Sequence, residues 1–140
     1  MKLSFRYKLL FLFAFISLLS GFFNYLLFQP DIMLFKILGI GTTSFGIKNN
    51  LIRHFFSGYF SDVAWCISLC CIAFALAELN YITHNGKILL LLLPFLTEGL
   101  QYYGVIKGTF DWYDILTYLI VITLFILFFP TLKTTVYEKN

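Results

Sequence analysis

The chain has 140 residues, of which 60% are apolar, 21% aromatic and only 12% charged, with a formal net charge of +3. Soluble domains carry about a quarter charged residues, so this chain lacks the polar groups needed to cover a water-facing exterior. The length allows one domain, spanning 1–140, and the small, scattered positive charge gives no footprint for nucleic acid.

Lys2, Arg6 and Lys8 precede an apolar run over residues 9–28, closed by Gln29-Pro30-Asp31. A secretory signal has an apolar region of about 7–15 residues followed by a small-residue cleavage site. This run is longer and has no such site, so it is read as a retained first spanning helix. A spanning helix needs about 20 mostly apolar residues. Three further stretches qualify: 63–79, opening at Ser61-Asp62; 88–103, after Asn85-Gly86-Lys87; and 114–129, stopped by Pro130. Open sheet edges cannot face lipid, so the expected fold is all-α, a polytopic bundle with four spans.

Residues 31–60 separate the first two spans. Residues 31–40 are apolar but short, and fit a loop or a re-entrant, partly inserted segment better than a fifth span. Residues 51–60 mix Arg53 and His54 with Leu51, Ile52, Phe55, Phe56, Tyr59 and Phe60. That mixture predicts an interfacial helix in the first extracytoplasmic loop. With the N-terminus inside, Lys2, Arg6, Lys8, Lys87, Lys133 and Lys139 are cytoplasmic, against Lys36, Lys48, Arg53 and Lys107 outside. The bias predicts both termini in the cytoplasm. Trp65 and Trp112 then mark the same outer interface.

Ionisable groups within spans are expensive, and they mark function unless they only lock helices together. Glu98 lies about 15 Å along the third span, at 1.5 Å per residue, and Pro94, Glu98 and Gln101 share one helix face. Pro94 also removes one helical hydrogen bond. Asp62, Asp111 and Asp114 stand at the starts of the second and fourth spans, where acidic residues cap free N–H groups and suit the helix dipole. In this topology Asp62, Glu98, Gln101 and Asp114 all fall in the outer half, with Arg53, His54 and Lys107 near. Tyr118 shares a face with Asp114. These residues form the candidate ligand-binding set: Glu98, Gln101, Asp114 and Asp62, with Asp111, Arg53 and Tyr118.

Cys66, Cys70 and Cys71 match no zinc spacing and read as small packing residues. The sequence has no nucleophile–base set, phosphate-binding glycine loop or HExxH motif. No cofactor or metal is expected, and nothing obliges the protein to be an enzyme.

Glu98-x-x-Gln101, followed by Gly108-Thr-Phe110-Asp111-Trp-Tyr-Asp114 and a closing span, resembles the VanZ-like family. These are small bacterial polytopic membrane proteins, named for a member linked to glycopeptide resistance. The family pattern is Glu-x-x-Gln at the end of one helix, then Arg-Ser-Phe-Asp-x-x-Asp leading into the next, with Asn and Gly after it. Gly108 stands in place of the Arg and Tyr118 in place of the Asn, as in some small proteins of similar layout. Ser61-Asp62-Val-Ala-Trp65 is similar to their Asp-x-x-Trp helix start. The resemblance covers residues 55–129. It implies a polytopic membrane protein, but the missing Arg means that a resistance role does not carry over.

Three functions fit these residues. An acidic pocket near the outer leaflet would bind a cell-envelope or lipid-linked molecule, with Arg53, Lys107 or a cation meeting any phosphate. Alternatively, Glu98 would carry protons or a cationic substrate in a small transporter, singly or as an oligomer. In the third, the polar groups would only hold a structural subunit to other membrane proteins.

Overall fold

In a computed structural model the described residues are 5–28, 55–56, 58–106 and 108–129, and their regular structure is entirely helical. Four helices follow in order: α1, Phe5–Phe28; α2, Phe60–Glu78; α3, His84–Tyr102; and α4, Trp112–Phe128. Each begins two to four residues before the apolar run that predicted it. Half of the interfacial helix expected over 51–60, residues 51–54 and 57, falls outside the described residues, as do Arg53, His54, Lys107 and the whole of 31–40.

Local chemistry sets the helix ends. Thr83 caps α3, its Oγ1 accepting from Gly86 N at 3.2 Å. Asn85-Gly86-Lys87, expected to precede the third helix, is therefore its first turn. Leu79 ends α2, and Asn80 follows in the left-handed region with φ 59°, a conformation that Asn tolerates. Asn80 N then bonds Ala77 O and Tyr81 N bonds Leu76 O, the pairing of a Schellman motif. The same motif ends α3 at Gly104 (φ 68°), with Gly104 N on Gln101 O and Val105 N on Leu100 O.

The chain runs up and down, with α2 at the centre. α1 packs along one side of α2, α3 and α4 pack on the other, and α3 and α4 meet more lightly. Small residues on α2 let α1 approach closely. A Cβ placed on Gly21 would lie 3.3 Å from the Cβ of Ala64, and Ser17 Oγ donates to Ala64 O at 2.8 Å. Cys70, Ala73, Phe74 and Ala75 of α2 are fully enclosed, with Leu10, Ala14 and Leu91 around them. The three cysteines are free and buried.

The outside of the molecule is apolar. Phe13, Phe15, Leu89, Leu92, Leu119 and Leu127 are among the large side chains left exposed. Two segments, Arg6–Tyr25 and Phe60–Glu78, are long and apolar enough to cross a membrane. α4 is equally apolar but has 17 residues, and α3 is diluted by His84, Lys87, Glu98 and Gln101. The expectation of four spans therefore appears as four helices, two of which have the length and hydropathy of a span.

Candidate acidic cavity

The starts of α2 and α4 and the ends of α1 and α3 gather at one end of the bundle. Asn24 fastens α1 there: its Nδ2 donates to Ser61 Oγ at 2.8 Å and to Phe56 O at 2.6 Å. One residue on, Tyr25 reaches the same space. Asp62 lies in the first turn of α2, whose N-cap residue, Tyr59, makes no side-chain capping bond. From α3 come Glu98 and Gln101. The turn after α3 then carries the chain back so that Gly108 lies against the Gln101 amide; a Cβ on Gly108 would stand 2.6 Å from Gln101 Cδ.

The three aspartates divide by role. Asp111 is the N-cap of α4, its Oδ1 accepting from Tyr113 N at 2.9 Å. Capping, one of the two roles weighed from the sequence, is therefore realised at Asp111. Asp114, one turn further on, has a buried Oδ1 without a hydrogen-bond partner. An orphaned buried oxygen is costly, so Asp114 is not spent on ending the helix.

Asp62, Glu98, Gln101, Asp111 and Asp114 all line one cavity of about 360 Å³, with Tyr25 and Tyr59 at its wall. No Lys, Arg or His is among the described residues around it. Glu98 is 4% exposed. It takes the Asp111 N–H and the Tyr118 hydroxyl, yet its Oε2 has no partner. The Tyr59 hydroxyl is held above its ordinary range by desolvation, then by the Asp111 and Asp114 carboxyls. Among the described residues, no three His, Cys, Asp or Glu side chains are placed to hold one metal ion.

A second cavity, of about 380 Å³, lies beside the first between α2 and α3. Its wall is largely apolar, built from Trp65, Leu69, Leu93 and Pro94, and Tyr25 and Asp62 belong to both cavities. Tyr118 lines this second space rather than the first, packed edge-on to Phe95 with ring centroids 6.0 Å apart. Pro94 also faces it, so the shared face of Pro94, Glu98 and Gln101 is divided between the two cavities.

Sequence reasoning passed over Asn24, Tyr25 and Tyr59. Asn24 is a lone amide in an apolar run, and that signal was available. Tyr25 and Tyr59 look like any interfacial aromatic until the fold closes around them. Sequence reasoning also missed Glu78 and Lys87, buried at the opposite end of the bundle. Glu78 Oε1 lies 3.2 Å from Arg6 Nη2, a pairing by proximity without an aligned hydrogen bond. Lys87 Nζ sits 4.6 Å from the Phe74 ring centroid. No family model matches the chain, and no curated protein or solved structure is similar to it.

Proposed function

We propose that the chain is a four-span protein of the bacterial inner membrane, VanZ-like in kind, with both termini cytoplasmic. Its acidic cavity opens at the outer leaflet and binds a cell-envelope molecule, a lipid-linked one foremost. The apolar exterior of all four helices supports the membrane reading. At 17 residues α4 rises about 26 Å, close to the roughly 30 Å hydrocarbon thickness. The residues that carry the VanZ-like resemblance, Glu98, Gln101, Phe110, Asp111 and Asp114, come from α3 and the start of α4 and gather together. Tyr102 and Phe110 pack edge to face beside them, with ring centroids 5.2 Å apart.

One observation carries the binding role: acidic groups from three helices surround one cavity, and the buried Glu98 Oε2 has no partner. Groups that merely locked helices together would be satisfied by one another, because an orphaned buried polar atom is a net cost. Carriage of a proton or cation needs a path to the other side. There, the centre of α2 presents the buried apolar side chains of Cys70, Ala73, Phe74 and Ala75.

The test is to purify the wild-type chain and Glu98→Gln from inner membranes in mild detergent and compare their bound lipids with the bulk membrane by mass spectrometry. One envelope lipid should be enriched at least about threefold in the wild type and return to bulk level in the variant at equal protein abundance. A wild-type extract identical to the bulk membrane would refute binding. Loss of the variant from the membrane would instead favour the structural role.

A further inference from the structure

We infer that the two neighbouring cavities are halves of one site for a single membrane amphiphile, whose head presents a primary ammonium and whose tail is a hydrocarbon chain. This deepens the reading above and rests on it.

The acidic half selects a cation. Asp62, Glu98, Asp111 and Asp114 face one space, and carboxylates so grouped repel one another unless they take up protons or a positive charge enters among them. A neutral sugar would donate hydroxyl hydrogen bonds to the carboxylates but would leave that repulsion in place. Glu98 supplies the second, independent sign of a ligand: it is 4% exposed, yet its Oε2 is unpartnered in the wall of this cavity. An ammonium N–H is the donor that such an oxygen lacks.

Geometry favours an organic cation over a metal ion. No three acidic, Cys or His side chains among the described residues are placed around one point. At about 360 Å³ the space has the size of a small-molecule pocket rather than an ion cage. Tyr25 and Tyr59 in its wall add aromatic faces of the kind that hold ammonium groups.

The tail follows from continuity. The second cavity, about 380 Å³, adjoins the first, shares Tyr25 and Asp62 with it in its wall, and is lined further by Trp65, Leu69 and Leu93. Trp65 is 45% exposed, so this half opens sideways through the apolar exterior. A chain entering from lipid reaches Asp62 without leaving apolar surface, and its head then sits among the carboxyls. A soluble amine would leave the apolar half unfilled; a lipid without a cation would leave the acidic half uncompensated.

Trp65 makes the test direct, because Trp112 is the one other tryptophan in the chain. The full chain carrying Trp112→Phe is reconstituted in phosphatidylcholine vesicles. These contain a small fraction of a 9,10-dibromostearyl amphiphile with an amine, glucoside or plain alcohol head, or of dibrominated phosphatidylethanolamine. Bromine quenches Trp65 when the tail occupies the cavity. The amine should quench with a relative association constant at least about threefold that of the alcohol. Glu98→Gln, and separately Asp114→Asn, should abolish the excess. An excess for phosphatidylethanolamine as well assigns the site to an amine-headed membrane phospholipid; an excess for the simple amine alone assigns it to a phosphate-free amphiphile. An excess for the glucoside without one for either amine would overturn the ammonium head while leaving envelope-lipid binding intact. Equal quenching by all heads would overturn both.

Discussion

At the Glu78 end of the bundle a buried carboxylate has the Arg6 guanidinium 3.2 Å away, and Lys87 Nζ lies over the Phe74 ring. Phe74 is 2% exposed, and Ala73 and Ala75 beside it are fully enclosed. At the Asp62 end four carboxyls face a cavity whose described wall contains no cation, and the buried oxygens of Glu98 and Asp114 are left without partners. At one end the carboxylate is met by a cation and the Phe74 core beside it is enclosed; at the other, no cation among the described residues meets the carboxyls. The satisfied and the unsatisfied carboxyls thus lie at opposite ends of the same α2 helix. Buried oxygens left without partners are a net cost to stability.

This contrast is open to attack at several points. The largest effect belongs to the Glu78 end. Phe74→Ala should cost about 3–5 kcal/mol, the usual range for a truncated core aromatic, read by denaturant unfolding in mixed micelles. Asp114→Asn, at the other end, should change stability by less than about 1 kcal/mol or raise it slightly, because it relieves like-charge repulsion. Equal losses in the two variants would break the comparison.

Next in size is the ion pair. Breaking a fully buried pair costs about 3–5 kcal/mol. Arg6 is 34% exposed and Glu78 5% at the side chain, so Arg6→Ala should cost less, about 2 kcal/mol. Adding Glu78→Gln should recover more than half of that loss, since the orphaned carboxylate is the main penalty. A double variant no more stable than Arg6→Ala would show that the pair contributes by packing instead.

A change at the cavity wall itself sharpens the picture most. Gly108→Ala sets a Cβ 2.6 Å from Gln101 Cδ, and the far end of a flexible side chain can swing away cheaply. The backbone there, at φ 157°, is one that residues with a side chain rarely adopt, so unfolding should shift by about 1–2 kcal/mol. Retention of the bound lipid should nevertheless fall as far as it does in Gln101→Ala, measured on the purified proteins. Retention at the wild-type level would remove Gln101 from the site.

Much of this architecture was legible in the chain itself. Apolar runs bounded by polar residues and by Pro30 and Pro130 located the four helices, because hydropathy and helix-breaking chemistry are local properties. Their far ends were found closely, but α3 began earlier than expected, since the cap at Thr83 outweighed the turn signal of Asn85-Gly86. Spacing along α3 put Glu98 and Gln101 on one face, because helical periodicity needs no tertiary information. The choice between capping and cavity for the aspartates could not be read locally. Asp111 and Asp114 occupy equally acceptable positions near a helix start, and only the approach of α3 leaves Asp114 facing Glu98.

The amino-acid sequence by itself therefore determined the all-helical class, the apolar exterior and the acidic character of one end, all properties of composition and period. Tertiary structure alone decided that α2 is central and that Tyr25 joins the site. It also decided that Arg6 reaches Glu78 across a separation of 72 residues, and that an apolar cavity adjoins the acidic one. These depend on which helix faces meet, and packing settles that through contacts between residues far apart in the chain.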